Sequence, residues 1–325
     1  MALNYNLVNS LVQERYLPGF ADNIYDSSAL LTALRMDNSV VVEGGERITA
    51  GLLYAKNTAR GTFSGFDTVD VTPQDTRNRA RYEWANYYVS ISISQDDEDK
   101  VNGPDAVASL LESNMSEAQL SMKDQLATDI FTGIDVDGLV GLDQAINTTN
   151  TYGAISGTDY SWWRSTVDAT AHTTANMKTA ASTSYVWTLL GNAFAACLHG
   201  GGYPNLIITT PEVFNVIEAV AISQQTFEML NKRSEALAQN GFPVIQYRGT
   251  PIVADEYCPA YQMYVLNTKF LSLYVHSRST GNNFRFTGFK QATNQLARVG
   301  QITFKGQLGI NNRRMFYKFT SLAAS

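Results

Sequence analysis

The chain has 325 residues, 44% of them hydrophobic and only 17% charged, with a net charge of -6. That length suggests two sub-domains or one elaborate domain. The acidic balance and the absence of any Lys/Arg run exclude proteins that grip DNA through its phosphates, transcription factors and nucleases among them.

The 17 Tyr, 15 Phe and 4 Trp, set beside so few charges, suit a protein that buries much surface in its core or against partners. Cys197 and Cys258 are far apart and form no CxxC pair, so buried thiols are expected in place of a disulfide framework or zinc cluster. Met1-Ala2-Leu3-Asn4-Tyr5 lacks the basic start and apolar core of a signal peptide. No apolar stretch approaches the roughly 18 residues of a membrane span, so a soluble protein made in the cytoplasm is expected.

In chain order, residues 1 to about 38 place apolar positions at Leu7, Val8, Leu11 and Val12 and again at Leu30, Leu31 and Leu34, broken by Pro18-Gly19. Two short helical pieces with little core of their own form an N-terminal arm, which must dock on something else to be ordered.

Residues 39–94 change character. Val40 to Val42 and Ile48 to Tyr54 read as strand around Gly44-Gly45, and Tyr87, Val89, Ile91 and Ile93 alternate with polar neighbours at the period of a half-buried strand. Between them, Lys56 to Arg81 is rich in Thr, Gly, Asp and Arg. The expectation is an extended hairpin that cannot bury both faces within one subunit and lies over a neighbour.

Asp96-Asp97-Glu98-Asp99 and Asn102-Gly103-Pro104 signal a helix start. Val107, Leu111, Met115, Ala118, Met122, Leu126 and Ile130 then recur in steps of three or four, and Gly133 stands where the helix should end. A helix over 104–132 extends roughly 40 Å, and a single apolar stripe lays it across a sheet as a spine.

Residues 138–165 are loop-like and close on Ser161-Trp162-Trp163-Arg164, where the adjacent tryptophans are expected to anchor the loop. A helix over 185–198, a strand over Pro204–Thr210 and a helix from Pro211 follow as a compact central unit. The last third offers strands at Val244–Tyr247, Pro251–Ala254, Met263–Asn267, Leu271–His276, Asn283–Phe286, Ala297–Lys305 and Met315–Phe319. The fold class is α+β.

The search for chemistry returns nothing. His172, His199 and His276 form no HxH, HxxxH or HExxH pair. His199-Gly200-Gly201-Gly202 looks like the oxyanion loop of esterases, but no GxSxG nucleophile elbow accompanies it, and a helix end followed by a glycine turn explains it equally. Asp135-Val136-Asp137-Gly138 begins like a calcium loop and lacks the third acid and the terminal Glu. Four consecutive acids at 96–99 do not all face one centre, so a solvated turn or an inter-subunit contact is expected there. There is no phosphate loop and no GxGxxG fingerprint, and neither a metal nor a cofactor is expected.

One resemblance runs through these segments. Gly141-Leu142, Ile146-Asn147-Thr148, Tyr152-Gly153-Ala154-Ile155 and Ser161-Trp162-Trp163-Arg164 follow the helix. Then come Gly200-Gly201, Pro204 to Thr210, Arg248 to Asp255, Cys258-Pro259, Tyr264 to Leu271, Asn283 to Thr287 and Asn311-Asn312-Arg313-Arg314. In that order the set is similar to the major capsid proteins of tailed bacteriophages, with Ala154 standing where the family often has Gly.

The resemblance implies the Hong Kong ninety-seven-type capsid fold, shared with encapsulins. By position it implies an arm at 1–38, an extended hairpin loop at 39–94, a peripheral domain at 95–180 and 280–325, and an axial domain at 181–279. It implies no enzyme but a virion shell protein, assembled in the bacterial cytoplasm into pentamers and hexamers around dsDNA that it does not read. Its implied partners are further copies of itself, a separate scaffolding protein, a portal protein and, in some members, a decoration protein. Some relatives cross-link through a Lys–Asn bond, for which Lys56 offers an amine without an assignable Asn, and uncross-linked subunits are the expectation.

Candidate inter-subunit contacts are Lys56, Arg60, Phe63, Phe66, Arg77, Arg79 and Arg81 on the hairpin and the acids Asp96, Asp97, Glu98 and Asp99. The alternatives are an encapsulin-like compartment shell and a hydrolase of unrelated fold.

Overall fold

The computed structural model describes residues 9–10, 12, 16, 20, 22–24, 26–37, 39–96, 104–133, 137–200, 202–223, 243–277, 284–291 and 296–324. In chain order the first elements are α1 (Ala29–Asp37), β1 (Ser39–Val42), β2 (Ile48–Leu53), β3 (Arg77–Tyr82), β4 (Ala85–Ser94) and α2 (Pro104–Thr132). Then come the short strands β5 (Thr151–Tyr152), β6 (Ile155–Ser156), β7 (Thr166–Asp168) and β8 (His172–Thr173), followed by α3 (Val186–Cys197), β9 (Leu206–Thr209) and α4 (Pro211–Ser223). The rest is strand: β10 (Val244–Tyr247), β11 (Thr250–Ala254), β12 (Met263–Leu266), β13 (Leu271–His276), β14 (Phe284–Phe286), β15 (Lys290–Gln291), β16 (Ala297–Ile310), β17 (Tyr317–Phe319) and β18 (Leu322–Ala324).

Two six-stranded sheets organise the chain. In the first, β16 is the central strand and pairs with β13, β14, β15 and β4, while β1 extends the edge parallel to β13. The second runs β10-β11-β9-β12-β17-β7, with α3 and α4 contributing to its separate core. Its middle strands are continuous apolar runs because both faces are covered.

The long helix spans the residues its periodicity indicates, Pro104–Thr132. Leu111, Met115, Ala118, Met122, Leu126 and Ile130 are all buried, and the helix lies against β4. The side chain of Val107, like Asn102 and Gly103 before the helix, lies outside the described residues. Tyr87 of β4 fastens the helix end: its hydroxyl donates to Asp129 Oδ2 at 2.7 Å and accepts the Leu139 N–H at 2.8 Å. Gly133 ends the helix where no side chain fits, since a Cβ there would sit 2.2 Å from the Leu139 carbonyl oxygen.

Three expectations need correction. The strand at 85–94 is not the return limb of the hairpin; it pairs with 297–306 of β16, and the strand that answers β2 is β3, inside the segment taken as a polar tip. Arg77, Arg79 and Arg81 hide its period of two, although Ala80 and Tyr82 are its buried positions. The C-terminal segment is divided: β16 belongs to the first sheet and β17 to the second, while β13, expected with the central unit, belongs to the first. Finally, β16 continues past the expected end at Lys305 to Ile310. A Cβ at Gly309 would lie 2.3 Å from the Tyr274 ring, so glycine here makes room for a neighbouring strand's aromatic.

The arm helix finds its support within the chain. Ser28 to Leu34 are buried against β13 and the turn before it, and Phe20 meets Phe284 edge-on at 5.2 Å. Leu7, Val8, Leu11 and Pro18-Gly19 lie outside the described residues, as does Asn283 at the expected start of β14.

Candidate intersubunit surface

The extended hairpin is built from β2 and β3, paired from Ile48↔Tyr82 to Leu53↔Arg77. One face is buried through Ile48, Ala50, Leu52, Ala80 and Tyr82. The other presents Thr49, Gly51 and Leu53 beside Arg77, Arg79 and Arg81, all exposed. Alternation on a strand sets the three arginines about 6.8 Å apart along the backbone on one face. No salt bridge links any of the three among the described residues.

The root of the hairpin is held by the loop that carries the paired tryptophans. Arg81 N–H donates to the Gly153 carbonyl at 2.9 Å, and Tyr54 stacks on Trp162 with centroids 4.8 Å apart. Trp163 is buried and donates from Nε1 to the Tyr152 carbonyl at 2.9 Å. Arg313 locks the loop from beneath. It is fully buried, donating to the carbonyls of Ala145 (2.7 Å), Asn150 (3.2 Å) and Asn147 (2.9 Å), and its guanidinium lies over the Tyr152 and Trp163 rings. Burial lowers its pKa to about 10, so it stays charged at neutral pH. Nothing in the sequence distinguishes this arginine from its exposed neighbour Arg314.

Beyond the paired strands the two limbs run on as a tip tied by side chains. Tyr54 N–H donates to the Thr76 carbonyl and Tyr54 Oη to that of Asp75, while Thr58 donates from both N–H and hydroxyl to Gln74 Oε1. Lys56 and Arg60 are exposed on the outgoing limb. Phe63 and Phe66 stand in solvent, joined by Val69 and Val71. Four large apolar side chains on a protruding arm have no cover within one chain, which is the mark of an interaction surface.

The acidic run is elsewhere. Asp96 is exposed just past the end of β4, and Asp97, Glu98 and Asp99 lie outside the described residues. A ten-residue strand separates Asp96 from the hairpin root, about 30 Å at the usual rise. Among the described residues, Asp96 therefore lies at the opposite end of β4 from the arginines of β3.

The other motifs resolve structurally. His199-Gly200 and Gly202 close a turn in which Gly202 N–H donates to the His199 carbonyl, with Gly201 outside the described residues. Asp135 and Val136 also lie outside them, and the Asp137 carbonyl accepts the Asn86 N–H. Cys197 and Cys258 are buried free thiols, and burial pushes the first up to about 12. His172 sits between Ser184 Oγ (2.9 Å from Nδ1) and Asp168 Oδ2 (3.3 Å from Nε2), a pattern the sequence did not suggest. The imidazole is buried between these two partners, and the backbone of the same residue ties β8 to the C-terminal segment, where His172 N–H donates to the Ser321 carbonyl. Among the described residues no group of three His, Cys, Asp or Glu is placed to hold a metal, and no helix is long and apolar enough to cross a membrane.

No family model and no curated protein matches the sequence. Solved structures match over nearly the whole chain. A chain of the Cyanophage A-1(L) capsid asymmetric unit is 18% identical with a TM-score of 0.57, covering 87% of this chain and 90% of its own. A chain of Mycobacterium phage Bobi is 12% identical with a TM-score of 0.55, covering 91% and 90%. The holo-SrpI encapsulin of Synechococcus elongatus is 10% identical with a TM-score of 0.53, covering 90% and 88%. The architecture is the Hong Kong ninety-seven-type capsid fold.

Proposed function

We propose that this chain is a structural shell subunit, the major capsid protein of a tailed bacteriophage, assembling into pentamers and hexamers around dsDNA in the bacterial cytoplasm and ending in the virion. The observation that carries the reading is the hairpin: a rooted, rigid β arm whose apolar tip has no cover in its own chain. A closed shell reuses one subunit in several settings, so its contacts are heterologous and must adjust slightly. A β-paired root with a Gly- and Thr-rich tip meets both needs.

In this proposal Lys56, Arg60, Phe63, Phe66, Arg77, Arg79 and Arg81 contact a neighbouring subunit, and the acids from Asp96 to Asp99 supply opposite charge for the tip cations. The first sheet and the spine helix form the peripheral domain, the second sheet with α3 and α4 the axial domain, and residues 1–38 the arm. Scaffolding and portal proteins, and in some heads a decoration protein, complete the partners. No catalytic role is assigned.

Replacing residues 58–74 with a short Gly-Ser turn tests this, because β2 and β3 stay paired. The expected result is a folded, helical protein by circular dichroism that forms no shells. Normal shells from that variant would refute the role given to the tip. The encapsulin match supports one other reading, a compartment shell around a cargo protein, and the contents of purified shells separate the two: nucleic acid for the first, a protein cargo for the second.

A further inference from the structure

The outward face of the hairpin root opens on a groove of about 970 Å³. Arg77, Arg79 and Arg81 line it together with Gly51, Leu53 and Tyr160, and no carboxylate does. Three fixed positive charges in a concave surface attract an acidic partner. The backbone edge of β3 beside it is already capped, Arg81 N–H by the Gly153 carbonyl and Arg79 N–H by Asn78 Oδ1 at 2.8 Å. A partner therefore engages this face through side chains, not by adding a strand to β3.

The return limb of the tip has the complementary chemistry. Asp67, Asp70 and Asp75 are exposed on it, and Val69 and Val71 between them are 65% and 86% exposed. One oxygen of each carboxylate accepts a nearby backbone N–H, from Ser64, Thr72 and Arg77 respectively, which orients the exposed group. The limb does not fold back on its own root, because the bonds from Tyr54 to Thr76 and from Thr58 to Gln74 hold the two limbs side by side.

We propose that the arginine groove at the root of one hairpin receives the 67–75 limb of a second copy's hairpin, with Asp70 against Arg79 and Val69 against Leu53. The inference rests on the shell reading and names the partner surface within it. Such a contact is head-to-tail and joins unlike surfaces of identical chains, the kind of interface from which rings are built when its rotation closes.

The test is site-directed cross-linking in assembled particles. Leu53→Cys and Val69→Cys are introduced separately and together; the natural thiols, both buried, do not compete. Oxidation of the double variant should give a ladder of covalent oligomers that neither single variant gives alone. In parallel, Arg79→Glu should lower the assembled fraction by about tenfold, and adding Asp70→Lys to the same chain should restore it. Shells that form without the ladder, or an Arg79→Glu variant that assembles like the unsubstituted chain, would overturn the groove assignment while the shell reading stands. Failure of the unsubstituted chain to form shells would instead overturn the shell reading.

Discussion

The hydroxyl of Ser28 donates a 2.6 Å hydrogen bond to Oδ2 of Asp255, a residue 227 positions away in the chain. Leu30 N–H reaches the same oxygen at 3.5 Å, and Tyr257 N–H donates to Oδ1 at 3.0 Å. A carboxylate from the turn after β11 thus caps the N-terminus of α1, where the helix dipole favours negative charge. This one side chain adds a polar tether from the second sheet to a helix already packed on the first.

Asp255→Ala should cost about 2–3 kcal/mol, since it strands the buried Ser28 hydroxyl and Leu30 N–H and the half-buried Tyr257 N–H. Denaturant unfolding of the variant measures it.

The same site has a pH signature. Burial raises the Asp255 carboxyl above its usual 3.8, and the bonds from Ser28 and the backbone only partly offset this. The folded chain therefore holds that proton more tightly than the unfolded chain, and the contribution to stability is full below pH 3.8 and lost as pH rises through the raised value. Compared with Asp255→Asn, the unsubstituted protein should lose relative stability over that interval, and paired melts at pH 3.5 and about pH 6 read the difference.

Arg313 should be the least replaceable arginine. Arg313→Ala abandons three carbonyls, that of Ala145 buried, and leaves a cavity under Trp163, at a cost of about 3–5 kcal/mol. Arg313→Lys cannot reproduce the three-way fork and should recover less than half of it. Because burial lowers the guanidinium pKa only to about 10, its contribution should be constant from about pH 6 to pH 9, and melts across that range check this.

Two glycines make a controlled pair. Gly133→Ala drives a Cβ into the Leu139 carbonyl oxygen and should destabilise by about 2 kcal/mol or more. Gly51→Ala meets nothing within 4 Å and should be close to neutral for folding, so equal melting temperatures for the two would contradict the packing described at the helix end.

How far the sequence discloses all this follows from physics. The spine helix was legible because its apolar stripe from Leu111 to Ile130 keeps one period over about five turns and every position of it is buried. The polar hairpin was legible as a segment that cannot bury itself. Its true return strand was not, because β3 shows arginine at its outward positions and only Ala80 and Tyr82 inward. Sheet membership was equally hidden: β13 and β17 have the same apolar character, and only long-range pairing with β16 and β12 sends them to different sheets. Of the candidate contacts, the hairpin residues are all exposed, whereas Asp96 sits at the far end of β4. Leu53, Val69 and Val71 were passed over because an exposed aliphatic residue looks no different in sequence from a core one.

The central claim is that this chain closes into shells. The most direct measurement is negative-stain electron microscopy with light scattering on the protein expressed alone and then together with a scaffolding protein encoded beside it. Uniform hollow particles in either preparation are the predicted result. A strictly monomeric protein under both conditions would contradict the account.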